Sequence, residues 1–288
     1  MNAKWLLYLV SALTLFLSSC RALRAPMAPA SATPAPASPP PATAKPAAPT
    51  PATSAPGAKE ATLSLTWLGQ STFILTTSTG LRALLDPTGP GTGYTPVPVA
   101  DIDLVTISHE HSDHNAASLA SGSPLVLHGL AENDWAKIDQ TVKGVRVRTV
   151  PTFHDDTQGS QRGKNAVFVF ELSGLRLAHM GDLGHTLTPE QITATGPVDV
   201  ILIPVGGFFT VDGKTAARVV GQLNPKIIVP MHYKTADLSA SLAGRLASEG
   251  DFVGALGNTA AINKVGQTII IESGRLPVVR TIMLMKYK

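Results

Sequence analysis

The sequence predicts an α/β fold of two sheets covered by helices. Three observations carry this prediction. Apolar and polar residues alternate across residues 63–75, as in half-buried strands. Short, nearly continuous apolar runs such as 102–107 read as strands of a buried sheet. Helical segments fall between the later runs, and strand-rich halves with interspersed helices build layered sheets. The 288 residues are 44% hydrophobic and 15% charged, which is enough apolar content for a packed core and argues against disorder throughout. The length suits one large domain or two small ones.

In chain order, Lys4 comes first as a positive start, and residues 5–17 form an apolar run of 13. A membrane-spanning helix needs about 20 residues, so this run reads as the hydrophobic part of a signal peptide. It ends in Leu17-Ser18-Ser19-Cys20, which contains the only cysteine. One cysteine excludes a disulfide framework and any cysteine-rich zinc site. Small residues before a cysteine resemble the lipobox of bacterial lipoproteins. That resemblance implies a signal peptide over 1–19, an acylated Cys20, and a mature chain starting at Cys20. The expected location is the cell envelope, lipid-anchored, with the body outside the cytoplasm. Residues 25–58 are almost wholly Ala, Pro, Ser and Thr and hold 11 of the 23 prolines. Such a segment cannot bury apolar surface and favours extended polyproline II. Residues 20–60 are therefore read as anchor and disordered tether, and 61–288 as the folded domain.

The body continues with two strands over 63–75, a third over 81–85, a Pro/Gly-rich loop over 87–98, and a strand over 102–107. Later strands are expected at 124–127, 145–150, 166–172, 175–178, 198–203, 226–229, 268–271 and 278–284. Helices are expected at 116–120, 131–138, 189–193, 214–223 and 236–248. The net charge of +3 is uneven. Residues 1–60 hold five basic and one acidic side chain, and the remainder hold 18 basic and 19 acidic ones. The body has no basic footprint, so nucleic acid is not an expected partner.

All eight histidines lie in the body, and three fall in His109-Glu110-His111-Ser112-Asp113-His114, directly after a strand. His109 and His111, two apart in extended chain, point to one side and can share a cation. Asp113 and His114 lie where the chain turns and can reach a second. Imidazole and carboxylate suit zinc, manganese and iron.

Four motifs in order resemble the metallo-β-lactamase superfamily. They are Thr106-Ile107-Ser108-His109-Glu110-His111-Ser112-Asp113-His114, then His154, then Met180-Gly181-Asp182, then Pro230-Met231-His232-Tyr233. The resemblance runs from about Leu63 to the C-terminus. It implies an αβ/βα sandwich with a dinuclear metal site at one edge of the two sheets. It places His109, His111 and His154 on a first metal and Asp113, His114 and His232 on a second, with Asp182 bridging. Gly181-Asp182-Leu183-Gly184-His185, Pro204-Val205-Gly206-Gly207 and Ile228–Tyr233 look like the branch of small metal-dependent hydrolases, with L-ascorbate-6-phosphate lactonase a relative at superfamily distance. The cysteine of some true β-lactamases is absent, as is the glutamate that flavodiiron proteins carry where His111 stands.

The implied cofactors are two divalent ions, zinc first, with manganese or iron as alternatives. Two ions about 3.5–4 Å apart share a hydroxide nucleophile and polarise a carbonyl or phosphoryl oxygen. The expected activity is therefore hydrolysis of an ester, lactone or phosphodiester in a small molecule. A non-catalytic metal- or partner-binding lipoprotein and a metallo-redox or persulfide enzyme are the alternatives. Asp113 is also a candidate for handling the nucleophile's proton. His185, three residues after Asp182, is a catalytic candidate weighed against a loop histidine. His179 and His128 read as structural. Arg162 and Lys164, in the loop after His154, could clamp an anionic group, since guanidinium forks match phosphate and carboxylate; the bland alternative is a solvated turn.

Overall fold

The computed structural model describes residues 60–132 and 134–288. The expected signal peptide, Cys20 and the tether up to Lys59 lie outside the described residues. The body opens with β1 (Thr62–Trp67), β2 (Phe73–Thr77), β3 (Arg82–Leu85), β4 (Leu104–Ile107) and β5 (Leu125–His128). A small hairpin, β6 (Leu130–Ala131) and β7 (Asp134–Trp135), leads into β8 (Asp139–Val142), β9 (Val145–Phe153), β10 (Lys164–Leu172) and β11 (Leu175–His179). Then come α1 (Pro189–Thr195), β12 (Val200–Pro204), α2 (Gly213–Leu223), β13 (Ile227–Met231), α3 (Ala240–Ala243) and α4 (Gly250–Leu256). The chain ends with β14 (Ala261–Lys264), β15 (Thr268–Glu272) and β16 (Thr281–Leu284).

One sheet has the order β15-β1-β2-β3-β4-β5, and the other β14-β16-β13-β12-β11-β10-β9-β8. Both are mixed. Antiparallel hairpins join β1 to β2 and β9 to β10, whereas β3–β4–β5 and β11–β12–β13 run parallel. The alternation in β1 buries Leu63, Leu65 and Trp67 and leaves Thr62, Ser64 and Thr66 half-buried. In β12 and β13 every residue is buried, as the unbroken apolar runs required. The main core draws side chains from both sheets, with Trp67, Phe73 and Phe168 among the largest.

Helix α1 starts with a reciprocal cap, in which Thr188 Oγ1 accepts from Gln191 N and Gln191 Oε1 accepts from Thr188 N. Helix α2 is capped by Asp212, which accepts from Thr215 N at 2.7 Å. It buries Ala216, Val219, Val220 and Leu223. Each fully buried Val or Leu contributes about 1.5–3 kcal/mol.

Three predicted helices differ. The described residues of 131–138 hold the end of β6, all of β7 and an irregular segment, because Trp135 Nε1 donates to both Thr152 O (2.9 Å) and Asn165 O (2.8 Å). Those tertiary bonds override a helical spacing of Ala and Trp. Residues 236–248 contain only the single turn α3, held by a small cluster of Tyr94, Leu238 and Leu246. Residues 116–120 contain only a three-residue 3-10 turn, Ala117–Leu119. That turn, with Val99 and Ile102 of the preceding loop, covers the outer side of β3 and β4.

Candidate metal centre

Four strands end at one edge and deliver the candidate ligands there. His109 follows β4, His154 follows β9, Asp182 follows β11 and His232 follows β13. Parallel pairing of β11–β12–β13 brings the last two ends into line. The turn at Met180-Gly181-Asp182 requires glycine: Gly181 has φ +54°, and a Cβ there would collide with Ser108 and Asn165. Asn165 Oδ1 then accepts from Asp182 N at 2.9 Å and fixes that turn.

The seven predicted ligands converge. Asp182 Oδ2 lies at their centre, 3.2 Å from His114 Nε2, 3.2 Å from His154 Nε2, 3.4 Å from His232 Nε2 and 3.9 Å from His109 Nε2. Asp113 Oδ2 lies 3.5 Å from His114 Nε2 and 3.8 Å from His232 Nε2. His109 Nε2 and His111 Nδ1 are 3.0 Å apart, and His154 completes that triad. Ligand atoms about 2.1 Å from a tetrahedral ion stand about 3.4 Å from one another. The observed spacings fit that geometry. Buried His114 Nε2 and Asp182 Oδ1 have no hydrogen-bond partner among the described residues, which also suits a cation.

Asp86 supports the cluster from behind and was not singled out from the sequence. It is fully buried, accepts from Ser108 N at 2.8 Å and from Ser108 Oγ, and lies 2.9 Å from His114 Nδ1. His114 therefore carries its proton on Nδ1 and turns Nε2 to the cluster. Ser108 Oγ meets His109 Nδ1 at 3.0 Å and extends the same control to a second ligand. The only sequence trace of Asp86 was a carboxylate ending an apolar strand before Pro87.

Electrostatics separate the two histidine groups. Burial, with His114 close by, pushes His109 well below the ordinary imidazole range; burial and His154 lower His111. Burial opposes charge on His114 too, but in the metal-free cluster Asp182 and Asp113 outweigh it and hold His114 well above that range, so a cation taking Nε2 would displace a proton there. Asp182 resists its own burial through His114 and His232 and stays ionised.

Two cavities meet over the cluster. One of about 550 Å³ is lined by His111, Asp113, His154, Asp182 and His232. The other, of about 490 Å³, reaches past His185 and Phe208 to Arg218. Arg162 and Phe209 line both, together with His154. The Arg162 guanidinium lies 5.8 and 5.9 Å from the ring centres of Phe208 and Phe209 and forms no ion pair or hydrogen bond with any described residue.

The loop that carries Arg162 is not a plain turn. Asp155 accepts from Thr157 N, Thr157 Oγ1, Gly159 N, Gln161 N and Arg162 N, at 2.7–3.0 Å. Lys164 does not join Arg162. It begins β10, pairs with Asp134 at 3.1 Å and lies 4.3 Å from the Trp135 ring centre, so the expected two-cation clamp reduces to Arg162. His185 lines the second cavity, but both ring nitrogens are committed: Nε2 accepts from Phe153 N and Nδ1 donates to Thr186 O. That geometry makes His185 a wall of the cavity rather than an acid or base. His179 is buried against Ser71 O, and His128 pairs with Glu110 on the surface.

The fold and the histidine–carboxylate cluster define a class, the metal-dependent hydrolases of the metallo-β-lactamase fold. Residues 64–232 match the Beta-lactamase superfamily domain. A UPF0173 metal-dependent hydrolase of Caldivirga maquilingensis is 32% identical over 192 residues, 59% of this chain and 82% of that protein. Another, of Carboxydothermus hydrogenoformans, is 28% identical over 230 residues, 73% of this chain and all of that protein. A crystal structure from Thermotoga maritima, assigned as a Zn-dependent hydrolase of the metallo-β-lactamase superfamily, has a TM-score of 0.60 and 36% identity, covering 77% of this chain and 98% of its own. The chain belongs to the UPF0173 metal-dependent hydrolase family of the metallo-β-lactamase superfamily.

Proposed function

We propose that this metal-dependent hydrolase holds two divalent ions, zinc first, and cleaves an ester, lactone or phosphodiester in a small anionic substrate. The convergence of four histidines on Asp182 Oδ2, with His111 and Asp113 beside them, carries the reading. His109, His111 and His154 would hold one ion, Asp113, His114 and His232 the other, and Asp182 would serve both. Ions so held would supply a hydroxide nucleophile at neutral pH and polarise the oxygen of the scissile group. Asp113 is the carboxylate open to the cavity, its side chain 26% exposed against 3% for Asp182 and none for Asp86, and beside its ligand role it would orient the nucleophile or receive its proton. The Arg162 guanidinium has no ion-pair or hydrogen-bond partner among the described residues and lines both cavities, so it would hold a carboxylate or phosphate of the substrate outside the reacting bond.

Elemental analysis and a substrate panel test this. Two ions per chain are expected. Arg162→Ala should cost about 10- to 150-fold in kcat/KM on anionic substrates, the loss of one charge-assisted contact. Metal content and neutral substrates should be unaffected. A chain that saturates with one ion, or equal losses on neutral substrates, would sink the reading. Attachment to a membrane through acylated Cys20 is part of the proposal, and mass spectrometry of the membrane fraction should find a lipidated N-terminal Cys20. An unmodified chain starting at Met1 would refute the anchor.

A further inference from the structure

We infer that Gln70 is a further ligand residue of the second ion, offering its side-chain oxygen beside Asp113 and His232. This rests on the two-ion reading above. Gln70 joins β1 to β2 and is 1% exposed. Its φ of +48° is a left-handed conformation that non-glycine residues rarely hold. Gly69 before it has φ +97°, and a Cβ there would run into the Tyr94 ring. The Gln70 carbonyl accepts from Trp67 Nε1 at 3.0 Å and from His232 N at 3.3 Å. The fold therefore fixes this strained residue from two sides, one of them the backbone of a ligand.

The side chain reaches the two ligand atoms themselves. Gln70 Nε2 lies 3.1 Å from Asp113 Oδ2 and 2.8 Å from His232 Nε2. Gln70 Oε1 is buried and has no hydrogen-bond partner among the described residues. A fifth ligand closes some angles on the ion from tetrahedral towards 90°, where atoms about 2.1 Å from it stand about 3.0 Å apart. The amide end of Gln70 thus occupies a neighbouring coordination position. The two ends of an amide have nearly the same shape, and a half turn exchanges them. A cation held by Asp113 and His232 repels the NH₂ end and attracts the carbonyl oxygen, so the ion itself drives that turn.

The test is zinc titration of the metal-stripped full chain, with cobalt(II) spectra read in parallel, for wild type, Gln70→Ala and Gln70→Glu. Wild type should take two ions. Gln70→Ala should keep the first and weaken the second by about tenfold or more. Its cobalt bands should intensify, as they do when coordination number falls. Gln70→Glu keeps an oxygen and adds charge, so it should bind the second ion at least as tightly as wild type. Wild-type second-ion affinity and an unchanged spectrum in Gln70→Ala would overturn the assignment while leaving the two-ion reading intact. So would loss of both ions from Gln70→Ala, or a Gln70→Glu chain as weak as Gln70→Ala. A wild type that takes one ion would overturn both.

Discussion

Asp86 never reaches the cavity, yet it decides which nitrogen His114 presents. Its carboxylate lies 2.9 Å from His114 Nδ1 and binds the serine that meets His109. Asp86→Ala should therefore lower metal affinity about 10- to 100-fold while every direct ligand remains, as loss of such partners does elsewhere. Chelator competition measures this, and an unchanged affinity would mean that packing alone orients the ring. His109, His111, Asp113 and His114 were legible because they share one short string, whereas His154, Asp182 and His232 came from the resemblance of the ordered motifs to a known superfamily. Asp86 and Gln70 stand singly, 28 and 162 residues from the histidines they touch. No local pattern marks them, and only strand pairing brings them in.

At the scale of elements, the loop between β9 and β10 winds around one carboxylate. Burial works against the charge of Asp155, but the backbone N–H groups of Arg162, Thr157 and Gln161 and the Thr157 hydroxyl outweigh it and hold its pKa well below the usual range. A depressed folded pKa stabilises above the unfolded value of about 3.9 and is lost as pH falls through the folded one. The loop should thus stay ordered at pH 5 and loosen only in strong acid, as amide hydrogen exchange of Gln161 and Arg162 would show. Loosening already at pH 5 would contradict the assignment. Asp155→Asn should release the loop at neutral pH and cost about 2 kcal/mol of stability. It should also cost the anion preference that depends on Arg162.

Strands with period-two alternation or unbroken apolar runs were legible in the sequence. The edge strands β8 and β14 were not, because Asp139–Val142 and Ala261–Lys264 are almost wholly exposed and carry no apolar signature. The 131–138 segment misled because its apolar spacing suits a helix, while the partners of Trp135 lie on β9 and β10.

For the whole molecule, ions held jointly by both sheets should act as a clasp. His109, His111, Asp113 and His114 follow a strand of one sheet, and His154, Asp182 and His232 follow strands of the other. Zinc at 100 times its Kd adds about 2.7 kcal/mol per site. For a domain of this size that raises Tm by about 5–10 °C. Calorimetry with and without a chelator checks it, and an equal Tm would show that the sheets do not need the ions. A chain beginning at Glu60 should retain this transition, because Ala61 is already buried and its N–H is bonded to Ser273 Oγ.

The pairing of β1 with β15 has a consequence in time. Thr62 sits opposite Glu272, so the first strand made gains its outer neighbour among the last. While the chain is being synthesised, β1 presents unpaired amides along that side, backed by Leu63, Leu65 and Trp67. Contacts so distant in sequence slow folding and prolong exposure of sticky edges. Removing residues from 268 onward should leave a nascent chain that aggregates rather than a smaller folded domain, and a ribosome-stalling series read by protease resistance would locate the moment of closure.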